Sequence, residues 1–304
     1  MNLQKQFVQS VRLYFKERGE EWLQSLPNLI QYCEEKWSIQ MREPFSLSVN
    51  YVAPATMLDG KEVVVKICIP ENGFLDELEA LQLFQKKMVK LIDYDKENGI
   101  IILETLSPGY TLAEIADDEE ACQIAANVIK ELVVPVPIKT RIPTLKAREE
   151  ELKKIVEKHS NGIGPISGHT LQKALKMFTY MNQTIRQQLL LHGDFHHYNV
   201  LASGEGEWKA IDPKGLIGEI EYDLIQYMLN KLPEKRVYEV TERRVEIFTN
   251  ELNLDKERIL LWGYCHTVLA TAWTVDGESY NKGFFQMINV FEKLYATIFD
   301  TMSN

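Results

Sequence analysis

Residues 190–218 read LLHGDFHHYNVLASGEGEWKAIDPKGLIG, and this stretch sets the expectations for the rest of the chain. Within it, residues 200–202 and 208–211 are mostly apolar and flank a turn-rich segment, which is the pattern of a β-hairpin. Folding the hairpin back brings its two ends together, so Asn199 and Asp212 should lie side by side, with Asp194 just ahead of them. The sequence therefore predicts a convergence of oxygen-bearing side chains.

These residue types suit phosphoryl transfer. Mg²⁺ takes oxygen ligands and usually keeps several waters, so a carboxylate and an amide oxygen, completed by ATP phosphates, make a sufficient site. We predict that Asn199 and Asp212 hold the metal. Asp194, without a metal bond, would aim the attacking hydroxyl and accept its proton. Because the transition state is loose, positioning and charge neutralisation should supply most of the rate.

The same residues carry a resemblance to a known family. The spacing His192-x-Asp194-x-x-x-x-Asn199, followed by Asp212, is similar to the catalytic loop and the metal-binding Asp of protein-kinase-like enzymes. The His-Gly-Asp form resembles the aminoglycoside phosphotransferase branch. Together with Ile-Asp-Pro-Lys-Gly and Glu-Tyr-Asp-Leu at 221–224, the motif resembles the aminoglycoside/hydroxyurea resistance kinases, the group with streptomycin 6-phosphotransferases.

This resemblance implies an α+β fold of two lobes. Residues 1–106 would form a small antiparallel sheet lobe that binds the nucleotide, and residues 107–304 a larger, α-rich lobe with the catalytic and substrate-binding residues. The length agrees, because 304 residues exceed the usual range of one core and suggest two units of ~100 to 200 residues.

Composition limits the partners and the compartment. A net charge of -10 argues against a nucleic-acid surface and leans toward a cationic small-molecule substrate. The four cysteines form no Cys-x-x-Cys pair and indicate reduced thiols. No run approaches ~18 apolar residues, and the N-terminus lacks an apolar signal core. We expect a cytoplasmic protein with no membrane partner.

Helical spacing of apolar residues within 7–30 predicts one or two helices, and residues 46–55 and 63–69 look like strands. Lys66 is the only charge in the second strand, and an unpaired buried ammonium would be costly. Its position resembles the lysine that contacts nucleotide phosphates and pairs with a Glu of the following helix. Glu77 is the expected partner and Glu79 an alternative, and any of these side chains could instead face solvent.

The resemblance also implies a hinge that contacts the nucleotide base and a glycine-rich loop that contacts its phosphates. The apolar strand 100–104 leads into a Pro-Gly breaker that suits a hinge, where the backbone from Glu104 to Leu106 would contact the base. The residues do not distinguish ATP from GTP. The family's glycine-rich phosphate loop is not evident, because residues 49–56, where it should lie, contain no glycine.

The remainder reads as helical, with helices expected at 111–133, 145–159 and 170–188 and throughout the chain after Asp212. A bracing hydrogen bond is expected from His192, whereas Lys214 could contact an anion or be merely structural.

Acids near the expected acceptor site could form a rim that binds cations, with Trp273 nearby. Alternatively, Asp223 caps a helix and the other acids are solvated. The acids are Glu219, Glu221, Asp223, Asp276 and Glu278.

The sequence thus predicts a small-molecule kinase that moves the ATP γ-phosphate to a hydroxyl of a streptomycin-type aminoglycoside or of hydroxyurea. Kinases of other hydroxylated metabolites, such as choline, methylthioribose or a modified sugar, are an alternative. A second alternative is a catalytically silent nucleotide-binding module, for which the missing glycine-rich loop is the best support.

Overall fold

The N-terminal part of the protein is built on a five-stranded antiparallel sheet, in a computed structural model that describes residues 3–299. Its strands follow the order β1-β2-β3-β5-β4. They are β1 Ile39–Met41, β2 Tyr51–Met57, β3 Glu62–Ile67, β4 Leu91–Asp95 and β5 Ile100–Glu104. Lys66 on the central strand pairs in register with Val52 and Ile101, so its backbone lies in the middle of the sheet.

Two helices pack with this sheet. Helix α1 spans Lys5–Trp37, and its backbone is interrupted at Lys16, where φ is 54°, so the predicted one or two helices form one broken segment. Its buried residues share a hydrophobic cluster with the sheet. Helix α2, Asn72–Leu83, follows β3 and buries Leu78 and Leu81 in the larger cluster of the C-terminal part.

The C-terminal part is mainly helical. Helix α8, Lys256–Trp273, is its centre, because nearly every residue from Arg258 to Ala272 is buried, as expected for a helix surrounded by others. The helices are α3 Asp118–Leu132, α4 Leu145–Lys158, α5 Gly168–Gln183, α6 Ile220–Leu229, α7 Val237–Leu252, α8 Lys256–Trp273 and α9 Lys282–Phe299.

Short strands connect the helices. A three-stranded sheet runs in the order β12-β9-β6, and two hairpins are formed by β7 with β8 and by β10 with β11. The strands are β6 Val134–Pro135, β7 Gly162–Ile163, β8 Ile166–Ser167, β9 Leu189–Leu191, β10 Val200–Gly204, β11 Glu207–Ala210 and β12 Leu216–Gly218. The predicted hairpin after Asn199 is therefore confirmed.

Several predicted boundaries were wrong. The helix expected at 170–188 ends at Gln183, because the next apolar residues form strand β9, which pairs with β12 and β6. The helix expected from 111 begins at Asp118, where the Asp117 side chain accepts two backbone N–H bonds. The strand expected from 46 begins at Tyr51. No helix within residues 3–299 is long and apolar enough to cross a membrane.

Candidate active site

The β10–β11 hairpin brings Asn199 and Asp212 together as predicted. Val200 pairs with Ala210, and the next backbone bond runs from the N–H of Ile211 to the C=O of Asn199 at 2.9 Å. Asp212 has a φ of 58°, an uncommon left-handed conformation for a residue other than glycine. Such strained residues persist only where the surroundings hold them, and they are frequent at functional sites.

His192 braces this loop. Its Nδ1 accepts the backbone N–H of Asp194 at 3.2 Å, so its Nε2 carries the ring proton toward the C=O of Ile211 at 2.8 Å. Burial lowers the pKa of His192 to about 4, which keeps the ring neutral in this role. The ring therefore ties the segment of Asp194 to the segment of Asp212, and the predicted bracing bond is confirmed.

The side chain of Asp194 is partly exposed and has polar neighbours on two sides. Gln226 donates its Nε2–H to Asp194 Oδ1 at 3.2 Å, and His196 Nε2 lies 3.6 Å from the same oxygen. Asn199 donates its Nδ2–H to the backbone C=O of Asp194 at 3.0 Å. This bond orients the amide of Asn199 and leaves its Oδ1 as the atom that could meet a cation.

Lys66 is buried, with 4% of its surface exposed, and Glu77 is its partner. The ammonium lies 2.5 Å from Glu77 Oε1 and also contacts Asp212 Oδ1. Glu79 instead accepts the hydroxyl of Thr140 at 2.5 Å. The alternatives in which Lys66 faces solvent or pairs with Glu79 are therefore wrong, because the charge of Lys66 is satisfied inside the protein.

Charges around Asp212 keep it ionised. Burial alone would raise the pKa of Asp212, but the ammonium groups of Lys66 and Lys214 outweigh it and hold that pKa well below its usual range. Burial likewise opposes the charge of Lys66, and the carboxylates of Asp212 and Glu77 raise its pKa in spite of it. Lys214 Nζ lies 3.1 Å from Asp212 Oδ2, so Lys214 belongs to the site.

The donor set fits a hard divalent cation. Asp212 is an ionised carboxylate and Asn199 offers an amide oxygen, which are ligand types that Mg²⁺ takes alongside phosphates and water. The two lysines beside Asp212 supply positive charge of the kind that pairs with phosphate oxygens.

The hinge and the phosphate-loop region differ in how well they were predicted. Glu104 ends strand β5 as expected, and its Oε1 accepts the backbone N–H of Lys90 at 2.7 Å and the ammonium of Lys209 at 2.5 Å. The hinge that leads to Leu106 is thereby tied to the hairpin.

The glycine-rich phosphate loop was expected within residues 49–56, but most of these residues lie inside strand β2. The connection between β1 and β2 is 42–50, which also lacks glycine.

The predicted acidic rim is wrong for the acids near helix α6. Asp223 is buried and accepts the backbone N–H groups of His192 at 2.8 Å and Gly193 at 2.7 Å, so its carboxyl group neither belongs to an exposed acidic rim nor caps its helix. Burial raises the pKa of Asp223 to about 7. Glu219 is also buried, and its Oε2 accepts a bond from Arg258 Nε at 2.7 Å.

The other acids differ in exposure. Glu221 is buried, whereas Asp276 and Glu278 are exposed, as expected in the alternative in which these acids face solvent.

A cavity of about 260 Å³ opens beside Asp194, and Trp273 lies in its wall. Four polar residues of its lining were not predicted as site residues, namely Arg148, Tyr222, Gln226 and His266. Gln226 could have been found, since it lies one helical turn after Asp223. Arg148 and His266 gave no local signal.

The fold and the site define a small-molecule kinase of the protein-kinase-like class. A choline kinase from Streptococcus pneumoniae, LicA, has a TM-score of 0.60 and 17% identity, with 90% of this chain and 99% of that chain covered. The aminoglycoside phosphotransferase APH(4)-Ia, solved with ADP and hygromycin B, has a TM-score of 0.60 and 12% identity over 90% of this chain and 99% of that one. These likenesses confirm the predicted α+β, two-lobed kinase-like fold.

Residues 36–277 match the aminoglycoside/hydroxyurea antibiotic resistance kinase family, and the chain belongs to that family. A streptomycin 6-kinase of Streptomyces griseus is 27% identical over 272 residues, which cover 86% of each chain. A hydroxyurea phosphotransferase of Kitasatospora aureofaciens is 26% identical over 266 residues, or 86% of this chain and 76% of that one. The chain is thus a nucleotide-using phosphotransferase, as its motifs predicted.

Proposed function

We propose that this enzyme transfers the γ-phosphate of ATP, or of GTP, to a hydroxyl group of a small molecule, with Mg²⁺ as the cofactor. The observation that carries the proposal is the contact between Lys66 and Asp212 at the end of the hairpin that also holds Asn199. One carboxylate, one amide oxygen and two ammonium groups meet there. This is the set of groups needed to hold a metal–nucleotide complex.

Each residue has a role in this proposal. Asp194 aims the acceptor hydroxyl and takes its proton. Gln226 and the loop around His192 keep the carboxylate of Asp194 in place.

Asn199 and Asp212 would hold Mg²⁺, which when bound neutralises phosphate charge. Lys66 is fixed by Glu77 and contacts the phosphates. The backbone from Glu104 to Leu106 contacts the base. Because these groups are already held by hydrogen bonds and ion pairs, little reorganisation is needed during the reaction.

The proposed acceptor is a streptomycin-type aminoglycoside or hydroxyurea. The support is membership of the resistance-kinase family, with relatives named for both compounds. We further propose that residues 1–106 form the nucleotide-binding lobe and residues 107–304 the catalytic lobe, and that the enzyme works in the cytoplasm. The net charge of -10 favours a cationic acceptor.

Mass spectrometry tests the proposal directly. The native enzyme is incubated with Mg²⁺, ATP or GTP, and a panel of aminoglycosides, hydroxyurea, amino alcohols and sugars, and products heavier by one phosphoryl group are sought. Asp194→Asn is the matched control, because it keeps the size of the side chain and removes the base. A panel product that depends on Asp194 is expected. No product from any member, despite nucleotide binding, would contradict the proposed acceptors and favour a silent module.

A further inference from the structure

The segment between strand β6 and helix α4 runs from the C-terminal part of the chain to helix α2. Both of its ends are anchored to the three-stranded sheet. Val134 pairs with Leu190 at one end, and the C=O of Pro143 accepts the N–H of Ile217 at 2.8 Å at the other. Strand β9, which contains Leu190, ends where the catalytic loop begins. We call residues 139–142 of this anchored segment the strap.

The strap bonds to three polar side chains of helix α2. Arg141 Nη2 donates to Asn72 Oδ1 at 2.9 Å, and Arg141 Nε lies 3.1 Å from Asp76 Oδ1. Glu79 Oε1 accepts the hydroxyl of Thr140 at 2.5 Å and the backbone N–H of Arg141 at 3.2 Å. Asn72, Asp76 and Glu79 stand at positions i, i+4 and i+7, which form one face of a helix. The strap therefore holds this face of α2 over about two turns.

Apolar packing closes the same contact. Ile142 of the strap is buried. A Cβ placed on Gly215 would lie 3.3 Å from Ile142 Cδ1. It would be equally close to helix α2, at Ala80 Cβ and at the backbone oxygen of Asp76. The strap, helix α2 and the loop that follows Asp212 thus meet at a point with no spare room.

Helix α2 carries Glu77 on another side. Glu77 follows Asp76 directly, which turns its side chain by about 100° around the helix axis. There its Oε1 lies 2.5 Å from the ammonium of Lys66, and both side chains are buried. The strap and Lys66 therefore hold α2 from different sides. A displacement of the helix away from the strap would move Glu77 relative to Lys66.

We propose that the strap fixes helix α2 in the position in which Glu77 holds Lys66, so that Thr140 and Arg141 are positioning residues for the nucleotide phosphates. The inference rests on the proposed function, in which Lys66 contacts those phosphates. Thr140 and Arg141 act through α2, where their bonds end, and need no contact with the nucleotide. The Lys66–Glu77 pair is then held in place by the chain itself before the nucleotide binds.

Two substitutions of opposite charge test the inference. Arg141→Gln removes a positive charge and Asp76→Asn a negative one, and each breaks the same ion pair. An effect of charge alone on the phosphates would weaken ATP binding in the first variant and strengthen it in the second. Positioning predicts that both variants bind ATP about threefold to tenfold more weakly, the range for residues that act on a ligand through others. Adenosine, which has no phosphates, should bind as it does to the native protein.

Isothermal titration calorimetry with adenosine, and with ATP and Mg²⁺, measures these affinities. In a Lys66→Met background, Arg141→Gln should have no further effect on ATP affinity, since its effect passes through Lys66. The backbone amides of α2 should exchange hydrogen faster in both single variants than in the native protein. Arg18→Gln is the matched control, because it breaks an ion pair with Glu71 at the start of the same helix without touching the strap. It should leave ATP affinity unchanged.

The outcomes separate this inference from the proposed function. ATP affinity that is unchanged in both variants, or that moves in opposite directions, would overturn the inference. So would native protein that binds ATP no more tightly than adenosine. Phosphorylation of an acceptor together with any of these results would leave the transfer of phosphate standing. The expected losses of affinity, without phosphorylation of any acceptor in the panel, would support the strap and contradict the proposed function.

Discussion

The ammonium of Lys66 contacts the carboxylate of Asp212, although the two residues are 146 positions apart in the sequence. Lys66 lies on the central strand of the N-terminal sheet, and Asp212 follows the hairpin of the C-terminal part. Glu77 on helix α2 holds the lysine from the other side at 2.5 Å. The nucleotide site proposed here is therefore assembled from both parts of the chain around one buried positive charge.

Removing that charge should harm both activity and stability. Lys66→Met keeps the length of the side chain but leaves Glu77 buried without a partner, and breaking a buried pair in this way costs about 3 to 5 kcal/mol. We expect kcat/KM for ATP to fall by about 100-fold or more, since phosphate contacts act mainly in the transition state. Steady-state kinetics and urea unfolding measure the two effects. The exposed Lys61→Met on the adjoining turn is the control, and an equal loss there would contradict the role.

Asp212 should control the metal dependence of nucleotide binding. Asp212→Asn keeps the shape of the side chain but removes the negative charge that pairs with Lys66 and Lys214. We expect ATP with Mg²⁺ to raise the Tm of the native protein, because it binds preferentially to the folded state, and we expect this increase to be lost or strongly reduced in the variant. Differential scanning fluorimetry with and without Mg²⁺ measures it. A full Mg²⁺-dependent shift in the variant would show that Asp212 is not a ligand.

His192 should affect the catalytic step more than nucleotide affinity. His192→Phe removes the bonds to the N–H of Asp194 and to the C=O of Ile211, so the base is less well positioned. We expect kcat to fall by about 10- to 100-fold, while KM for ATP changes little, because small misplacements of reacting groups cost this much. Comparison with His169→Phe, an exposed site, controls for the substitution. A change confined to KM for ATP would refute the positioning role.

Asp223 should make the free energy of unfolding depend on pH. Burial raises its pKa to about 7 in the folded protein, above the unfolded value of about 3.9. Between these two pKa values the unfolded chain has lost the proton, whereas the folded protein keeps it. The contribution of Asp223 to the free energy of unfolding is therefore complete only below about pH 4, where both states carry the proton. It is lost as the pH rises through about 7, by up to roughly 4 kcal/mol at 1.36 kcal/mol per pKa unit.

The pH effect of Asp223 is measured by urea unfolding of the native protein and Asp223→Asn from pH 4 to pH 8. The stability of the native protein relative to the variant should decline over that interval. A constant difference between the two proteins would mean that Asp223 keeps an ordinary pKa, because its two backbone N–H bonds outweigh its burial.

Local patterns predicted the geometry around Asn199 and Asp212 well. The hairpin follows from its turn residues, and its closure alone places Asn199 next to Asp212. The Lys66–Glu77 pair was predictable because an isolated charge in an apolar strand requires a partner within reach. In both instances the information lies in a short stretch of sequence or in neighbouring elements.

Long-range packing could not be predicted in this way. Glu219 and Asp223 suggested an exposed acidic rim, but Glu219 pairs with the buried Arg258 from helix α8 and Asp223 accepts backbone N–H bonds. The cavity joins Arg148 of helix α4 to His266 of helix α8, and neither residue has a pattern of its own. Charge in a sequence suggests exposure, whereas a distant partner can make burial favourable.

The most direct test of the central claim is a rate measurement with γ-phosphate-labelled ATP, Mg²⁺ and a saturating concentration of the acceptor, for native protein and Asp194→Asn. If Asp194 is the base, the native enzyme transfers the label to the acceptor hydroxyl, and the variant does so about 100- to 10,000-fold more slowly while binding ATP equally well. Equal rates of label transfer in the two proteins, or release of label only as free phosphate, would contradict the assignment.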